Sequence, residues 1–161
     1  MIIESLHRKP RADGERGVPK PSVDRLDIRQ DGVAGDYNRY RQETLKGDLD
    51  MAILLHCAEV LETLASEGWP VGAGDLGENL LLRGVEYSGL EPGARLRAGG
   101  VEMTVTKAAT PCSNLSVLPY VGDARIKAFM QALSNRRGWY ARVTREGAVA
   151  VGDAVTVEGV G

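Results

Sequence analysis

The chain has 161 residues, enough for one domain with a proper core and short for two. Its formal net charge of -2 offers no global basic field of the kind nucleic acid selects. No apolar run approaches the roughly 20 residues that span a bilayer, and the N-terminus lacks the apolar core of a signal peptide. A cytoplasmic protein without nucleic-acid or membrane partners is the expectation.

The chain opens with the apolar Met1-Ile2-Ile3 and then becomes charged and rich in Gly and Pro up to residue 22. Val23 to Ile28 alternates as a strand, and Gly32-Val33-Ala34-Gly35-Asp36 reads as a tight turn because glycine tolerates φ > 0. Tyr37 to Gly47 is a charged loop, long enough to belong to a site. Asp48 or Asp50 then caps a predicted helix over Met51–Ser66. Its apolar stripe is Leu54, Cys57, Ala58, Leu61, Leu64 and Ala65, with His56 on the opposite, solvent-facing side. Gly68 ends it and Pro70 prevents its return.

Short strands follow. Leu80-Leu81-Leu82 is one, and Glu91-Pro92-Gly93 turns the chain. Arg95–Ala98 and the strand from Val101 are separated by only Gly99-Gly100, a two-residue hairpin signal. A second helix begins at Asp123, buries Ile126, Phe129, Met130 and Leu133, and ends near Gly138. Trp139, Ala141 and Val143 alternate with polar residues, and two final strands flank Gly152-Asp153. Many short strands, glycine turns and two helices predict a single domain, mainly β with helical insertions, closed or nearly closed into a β-barrel.

Cys112 is the residue most suggestive of chemistry. Thr110-Pro111-Cys112-Ser113-Asn114 follows an alternating strand, and the proline constrains the loop so that the sulfur is presented rather than packed. Cys57, by contrast, falls on the apolar stripe and reads as a small hydrophobe. Two cysteines in such different settings argue against a disulfide framework. His7 and His56 have no metal-ligand spacing with each other or with the cysteines. Basic clusters at Arg8-Lys9-Pro10-Arg11, at Arg39 and Arg41, and at Arg136-Arg137 are candidates for a small anionic ligand. Taken alone, Arg136 and Arg137 also simply suit a helix C-terminus.

Five segments in order closely resemble the MOSC domain, shared with the C-terminal part of molybdenum-cofactor sulfurases, amidoxime-reducing proteins and small stand-alone bacterial proteins of the YiiM type. They are Gly17-Val18-Pro19-Lys20-Pro21, Gly32 to Asp36, Gly74-Asp75-Leu76-Gly77-Glu78-Asn79-Leu80, Thr110-Pro111-Cys112, and Gly138 to Val143 with Glu146-Gly147 and Gly152 to Val155. The resemblance runs from about Lys20 to Val157. It implies a barrel like that of the pyruvate-kinase barrel domain and binding of the molybdenum cofactor (molybdopterin); at family level it also carries pyridoxal phosphate binding. The site residues it implies are Cys112 as metal ligand and catalytic group, with Lys20, Asp36, Arg39, Glu78, Asn79 and Arg136 around the cofactor.

The implied activity is reduction of N-hydroxylated or similar N–O small-molecule substrates, with electrons from an external donor protein. A sulfur carrier loaded as a Cys112 persulfide by a cysteine desulfurase is the first alternative, and a non-catalytic cofactor-binding module the second. One departure stands out. Relatives commonly carry Arg or His after Gly-Asp and a His-Gly-Gly run later, whereas here Tyr37-Asn38-Arg39-Tyr40-Arg41 and Leu45-Lys46-Gly47-Asp48 occupy those places. Either Arg39 or Arg41 supplies the missing charge, or redox activity is lost.

Overall fold

Glycine turns cut the chain into short strands, and the strands account for most of the ordered backbone. The computed structural model describes residues 1–38, 41 and 47–160, so Arg39, Tyr40 and most of the charged stretch after them lie outside the described residues. The strands are β1 (Ile2–His7), β2 (Ser22–Val23), β3 (Arg25–Arg29), β4 (Gly32–Val33), β5 (Ile53–Cys57), β6 (Leu80–Arg83), β7 (Arg95–Ala98), β8 (Val101–Ala108), β9 (Trp139–Arg145), β10 (Gly147–Ala150) and β11 (Val155–Glu158). Helix α1 (Ala58–Ser66) follows β5, and α2 (Gly122–Ala132) lies between β8 and β9. Among the described residues no helix is long and apolar enough to cross a membrane.

Eight strands form one sheet in the order β11–β7–β8–β9–β5–β6–β1–β2, and β10–β3–β4 form a second. Neighbours run antiparallel except β5 and β6, which are parallel with α1 as their crossover. The chain is thus mainly β with two helices, but no ladder closes the larger sheet into the expected barrel. β1 gives its second edge to β2 at Leu6 and His7, which leaves only its Ile2–Ile3 end to meet the β11 side. There the bridge of Ile2 with Ala154 and bonds from Ile3 N–H to Asp153 O (2.9 Å), Gly152 N–H to Ile3 O (2.9 Å) and Val155 N–H to Met1 O (3.0 Å) make the join.

The expected helix over Met51–Ser66 is corrected in its first half. Leu49–Met51 is a single 3₁₀ turn capped by Asp48, Ile53–Cys57 is strand β5, and only Ala58–Ser66 is α-helical. Ala52 to Cys57 is buried throughout, as a strand inside a sheet covered on both faces requires. A short apolar run of that kind matches helical and strand periodicity equally well. The helix does end where predicted. Gly68 takes φ +96°, and Trp69 N–H bonds back to Leu64 O (3.0 Å) while Gly68 N–H bonds to Ala65 O (3.1 Å), a Schellman closure.

The change of element changes which way side chains point. Along β5, Ile53, Leu55 and Cys57 enter the main core with Leu80 and Leu82 of β6, Leu96 of β7, and Met103 and Val105 of β8. Leu54 and His56 take the other face, and His56, expected at the surface, is fully buried. Leu81 also points to that side, where a second cluster joins Leu61 and Leu64 of α1 to Leu115, Leu118, Phe129 and Leu133. The Gly99–Gly100 hairpin forms as expected, pairing Ala98 with Val101.

Candidate functional site

A cavity of about 240 Å³ opens where the loops leaving several strands converge between the two clusters. Thr110, Cys112 and Asn114 come from the segment after β8, and Arg137 and Tyr140 from the start of β9. Arg16, Gly17, Val18 and Lys20 come from the loop before β2, Tyr37 and Asn38 follow β4, and Leu54 lies on β5. Leu76 and Gly77 precede β6. Among the described residues no Asp or Glu lines it, although Lys20 on its wall pairs with Asp36 behind it.

Cys112 is half-buried, in extended backbone just before the 3₁₀ turn Ser113–Val117. Cys57 is buried at the end of β5, and burial pushes its thiol up to about 12, which disfavours the thiolate. The two cysteines therefore occupy different surroundings.

Lys20 is only 5% exposed, and its Nζ donates to Asp36 Oδ2 at 2.6 Å. Asp36 Oδ1 accepts from Lys9 N–H (2.8 Å), and Asn79 Nδ2 donates to Asp36 Oδ2 (2.9 Å). Asn79 is itself fully engaged. Its Nδ2 also donates to His7 O, and its Oδ1 accepts from Leu54 N–H. Asp36 and Asn79 thus line not the Cys112 cavity but an adjoining polar one of about 310 Å³, which shares Asn38 and Leu54 with it.

Behind Lys20, His7 Nδ1 lies 3.1 Å from Lys20 O and its Nε2 lies 2.8 Å from Ser5 Oγ. Burial lowers the pKa of His7, and its carbonyl partner requires Nδ1 to carry a proton and donate. Gly74, at φ +85°, packs its α-carbon directly against Lys20 O, a contact that leaves no room for a side chain.

The remaining expected residues separate. Glu78 is fully buried; its Oε1 accepts from Gly74 N–H, its Oε2 has no partner, and burial pushes the carboxyl up to about 7. It lines neither of these two cavities. Arg136 turns away, pairing bidentately with Glu67 (2.8 Å each) and returning to Ala132 O at the end of α2. Arg41, a candidate for the missing charge, is clamped to the carbonyls of Asp31 (2.6 Å) and Asp48 (2.8 Å). Arg39 lies outside the described residues. Tyr37 fills the place after Gly35-Asp36, buried on the cavity wall with Arg11 over its ring.

The residue the expected set lacks is Arg137. It is 6% exposed, lines the Cys112 cavity, and its Nε and Nη1 have no hydrogen-bond partner. The sequence signal for it is its place beside Arg136 and just before Gly138, which takes φ +118°. Among the described residues no three His, Cys, Asp or Glu side chains converge as a metal-binding group.

The MOSC domain family matches residues 42–156, a span that contains Glu78, Asn79, Cys112 and both arginines but not Lys20, Asp36 or Arg39. Among solved structures, YuaD from Bacillus subtilis is similar at a TM-score of 0.77 and 21% identity, covering 99% of this chain and 96% of that one. YiiM from Geobacillus stearothermophilus follows at 0.72 and 23%, covering 98% and 74%. YiiM from Escherichia coli gives 0.66 and 19%, covering 100% and 71%. No curated protein matches the sequence. The family match spans most of the chain, and the shared fold agrees with it: the chain belongs to the MOSC domain family.

Proposed function

We propose that the chain binds a molybdenum cofactor in the Cys112 cavity and reduces N-hydroxylated or similar N–O small molecules. The observation that carries this reading is a half-buried thiol on the wall of a cavity that, among the described residues, holds cations and amides but no carboxylate. The donor set fits such a group. A soft thiolate suits a metal that arrives on its own sulfur ligands, and no multidentate protein cluster competes for it among the described residues. Cationic side chains suit a phosphate tail, and the amides of Asn38 and Asn114 suit the edge of a pterin. With the adjoining polar cavity, the space falls in the range of a bound organic ligand, roughly 300 to 1,000 Å³.

When bound, the cofactor supplies a metal that changes oxidation state as oxygen leaves the substrate. The chain itself places the Cys112 sulfur as a ligand, walls the cavity with Leu54 and Leu76 against water, and presents Thr110 and Tyr140 hydroxyls for orienting a polar substrate. Electrons then come from a separate donor protein. A second reading is supported by the same partly exposed thiol. A persulfide carried on Cys112, loaded by a cysteine desulfurase, is anionic and is favoured by the same cations. A non-catalytic binding module is what remains if both fail.

The test is anaerobic reduction of an N-hydroxylated base by cofactor-loaded protein with an added electron donor, for wild type and Cys112→Ser. Turnover by wild type, lost in the variant at unchanged melting temperature, supports the reductase. Absence of turnover with a Cys112 persulfide formed in metal-free protein transfers the assignment to the sulfur carrier.

A further inference from the structure

Three cations face the Cys112 cavity, and they are not equivalent. Arg16 is exposed and hydrated at the mouth. Lys20 already has its counter-ion in Asp36, at 2.6 Å and with side chains only 4% and 10% exposed. Arg137 is buried as deeply as Lys20, yet Nε and Nη1 are both unpartnered. Taking a guanidinium out of water without pairing it costs several kcal/mol, and each of its unpaired N–H groups is a charge-assisted donor for an oxyanion.

The backbone around Arg137 is held unusually firmly for a loop. The Arg136 carbonyl accepts from His56 Nε2 at 2.8 Å, and His56 Nδ1 in turn accepts from Cys57 N–H at 2.9 Å, which fixes the ring tautomer. Gly138 N–H donates to the Tyr87 hydroxyl at 3.0 Å, and Gly138 O accepts from Ala109 N–H at 2.9 Å. The His56 and Tyr87 rings lie 5.5 Å apart. A Cβ at Gly138 would sit 2.8 Å from Leu55 O, so the loop is pressed onto β5. Both peptide groups flanking Arg137 are therefore anchored by side chains from other elements, the buried His56 and the half-buried Tyr87.

Resting on the reading of this cavity as the seat of a phosphate-bearing ligand, we infer that Arg137, not Lys20, holds the anionic group, and that His56 and Tyr87 are positioning residues that fix its guanidinium through the flanking peptides. The nearest buried acid, Glu78, makes no hydrogen bond to Arg137, and its raised pKa of about 7 makes it an incomplete counter-ion at neutral pH. An anion from outside completes the pairing.

The test titrates the full chain, with arginine labelled at nitrogen, with inorganic phosphate at low ionic strength and follows the Arg137 Nε–H resonance. Wild type is expected to saturate, with binding that weakens as salt rises. Arg137→Gln should lose at least tenfold in affinity, while the paired replacement Lys20→Gln with Asp36→Asn should change it by less than threefold. Tyr87→Phe and His56→Ala should each weaken binding about threefold to tenfold and broaden the Arg137 resonance, and His56→Gln, which keeps a donor, should recover most of it. Val149→Ala, which opens a space in the distant core, controls for lost stability and should leave phosphate binding unchanged. If His56→Ala does not fold, Tyr87→Phe decides the positioning role.

Wild-type binding that survives Arg137→Gln but fails in the Lys20 pair overturns the inference and leaves the cavity reading standing. Equal loss in Val149→Ala overturns the positioning role. No phosphate binding by wild type overturns the cavity reading itself.

Discussion

The core enclosed by the large sheet and the Cys112 cavity share strand β5 but obey opposite rules. On one face of that strand Ile53, Leu55 and Cys57 join a cluster whose buried members are all apolar apart from a protonated thiol. On the other face, Leu54 and His56 look toward a region that buries His7, Lys20, Glu78, Asn79 and Arg137. The first face gains stability roughly in proportion to the area it removes from water. The second holds polar groups that must each find a partner, and Arg137 Nε and Nη1 and one oxygen of Glu78 have none among the described residues. Such groups beside a half-buried thiol cost stability, a cost that the ligand proposed above would offset.

That contrast is open to direct attack. Leu96→Ala, at a fully enclosed position of β7, should cost about 3 kcal/mol in chemical denaturation while leaving ligand binding per folded molecule unchanged. A comparable loss of affinity would show that the two regions are not separable.

His56 gives the next largest effect, and its sign is fixed by burial. Its pKa is lowered from 6.5 to about 4, chiefly by desolvation, so the native ring stays neutral while the unfolded ring takes up a proton first. Stability should therefore fall as pH drops below 6.5, by about 2 kcal/mol on reaching pH 5, and the loss should complete near pH 4. Glu78 acts in the opposite direction, since its raised carboxyl is best tolerated in acid and loses stability as pH rises from 4.5 toward 7. Denaturation curves of wild type and His56→Gln across this range separate the two, and an unchanged acid limb in the variant would remove His56 from the account.

Cys57→Ser places a hydroxyl in the apolar core and should cost about 1.5 kcal/mol. In the native wild type, iodoacetamide should label Cys112 and spare Cys57, as mass spectrometry of the digested protein would report; labelling of both at similar rates contradicts the packing described here. The smallest effect belongs to Arg136→Ala. Its ion pair with Glu67 is partly exposed, so the loss should stay under about 1 kcal/mol with anion binding intact. A tenfold drop in phosphate affinity in that variant would reverse the roles of the two arginines.

Much of the sheet was legible because its punctuation is local. Gly99-Gly100 marks the β7–β8 hairpin, Gly147 and Gly152 bound β10, and strict alternation marks β9. The error over residues 51–57 has a physical cause. β5 is covered on both faces, and it runs straight into α1 with Cys57 ending one and capping the other, so neither alternation nor a breaking Gly or Pro divides them. The extent of barrel closure was less legible, because the pairing of β1 with β2 joins residues 15 and 17 positions apart that no periodicity links.

The candidate site was legible in the same uneven way. A proline before Cys112 sets the backbone locally, so its presentation on a cavity wall follows from neighbours in sequence. The pairing of Lys20 with Asp36, and the anchoring of Asn79 to both, are contacts made across the fold and carry no spacing rule. The sequence places two arginines together at 136 and 137, but Arg136 is drawn away by Glu67, and its carbonyl is held by His56, a residue first assigned to the surface; both contacts are made across the fold.

The most direct measurement is the molybdenum and pterin content of the protein purified from a host that makes the cofactor, for wild type and Cys112→Ser side by side. The account predicts molybdenum and pterin in roughly equal amounts in wild type, with the metal lost from the variant at an unchanged melting temperature. Wild-type protein free of both, or a Cys112→Ser variant that retains metal as fully as wild type, would contradict it.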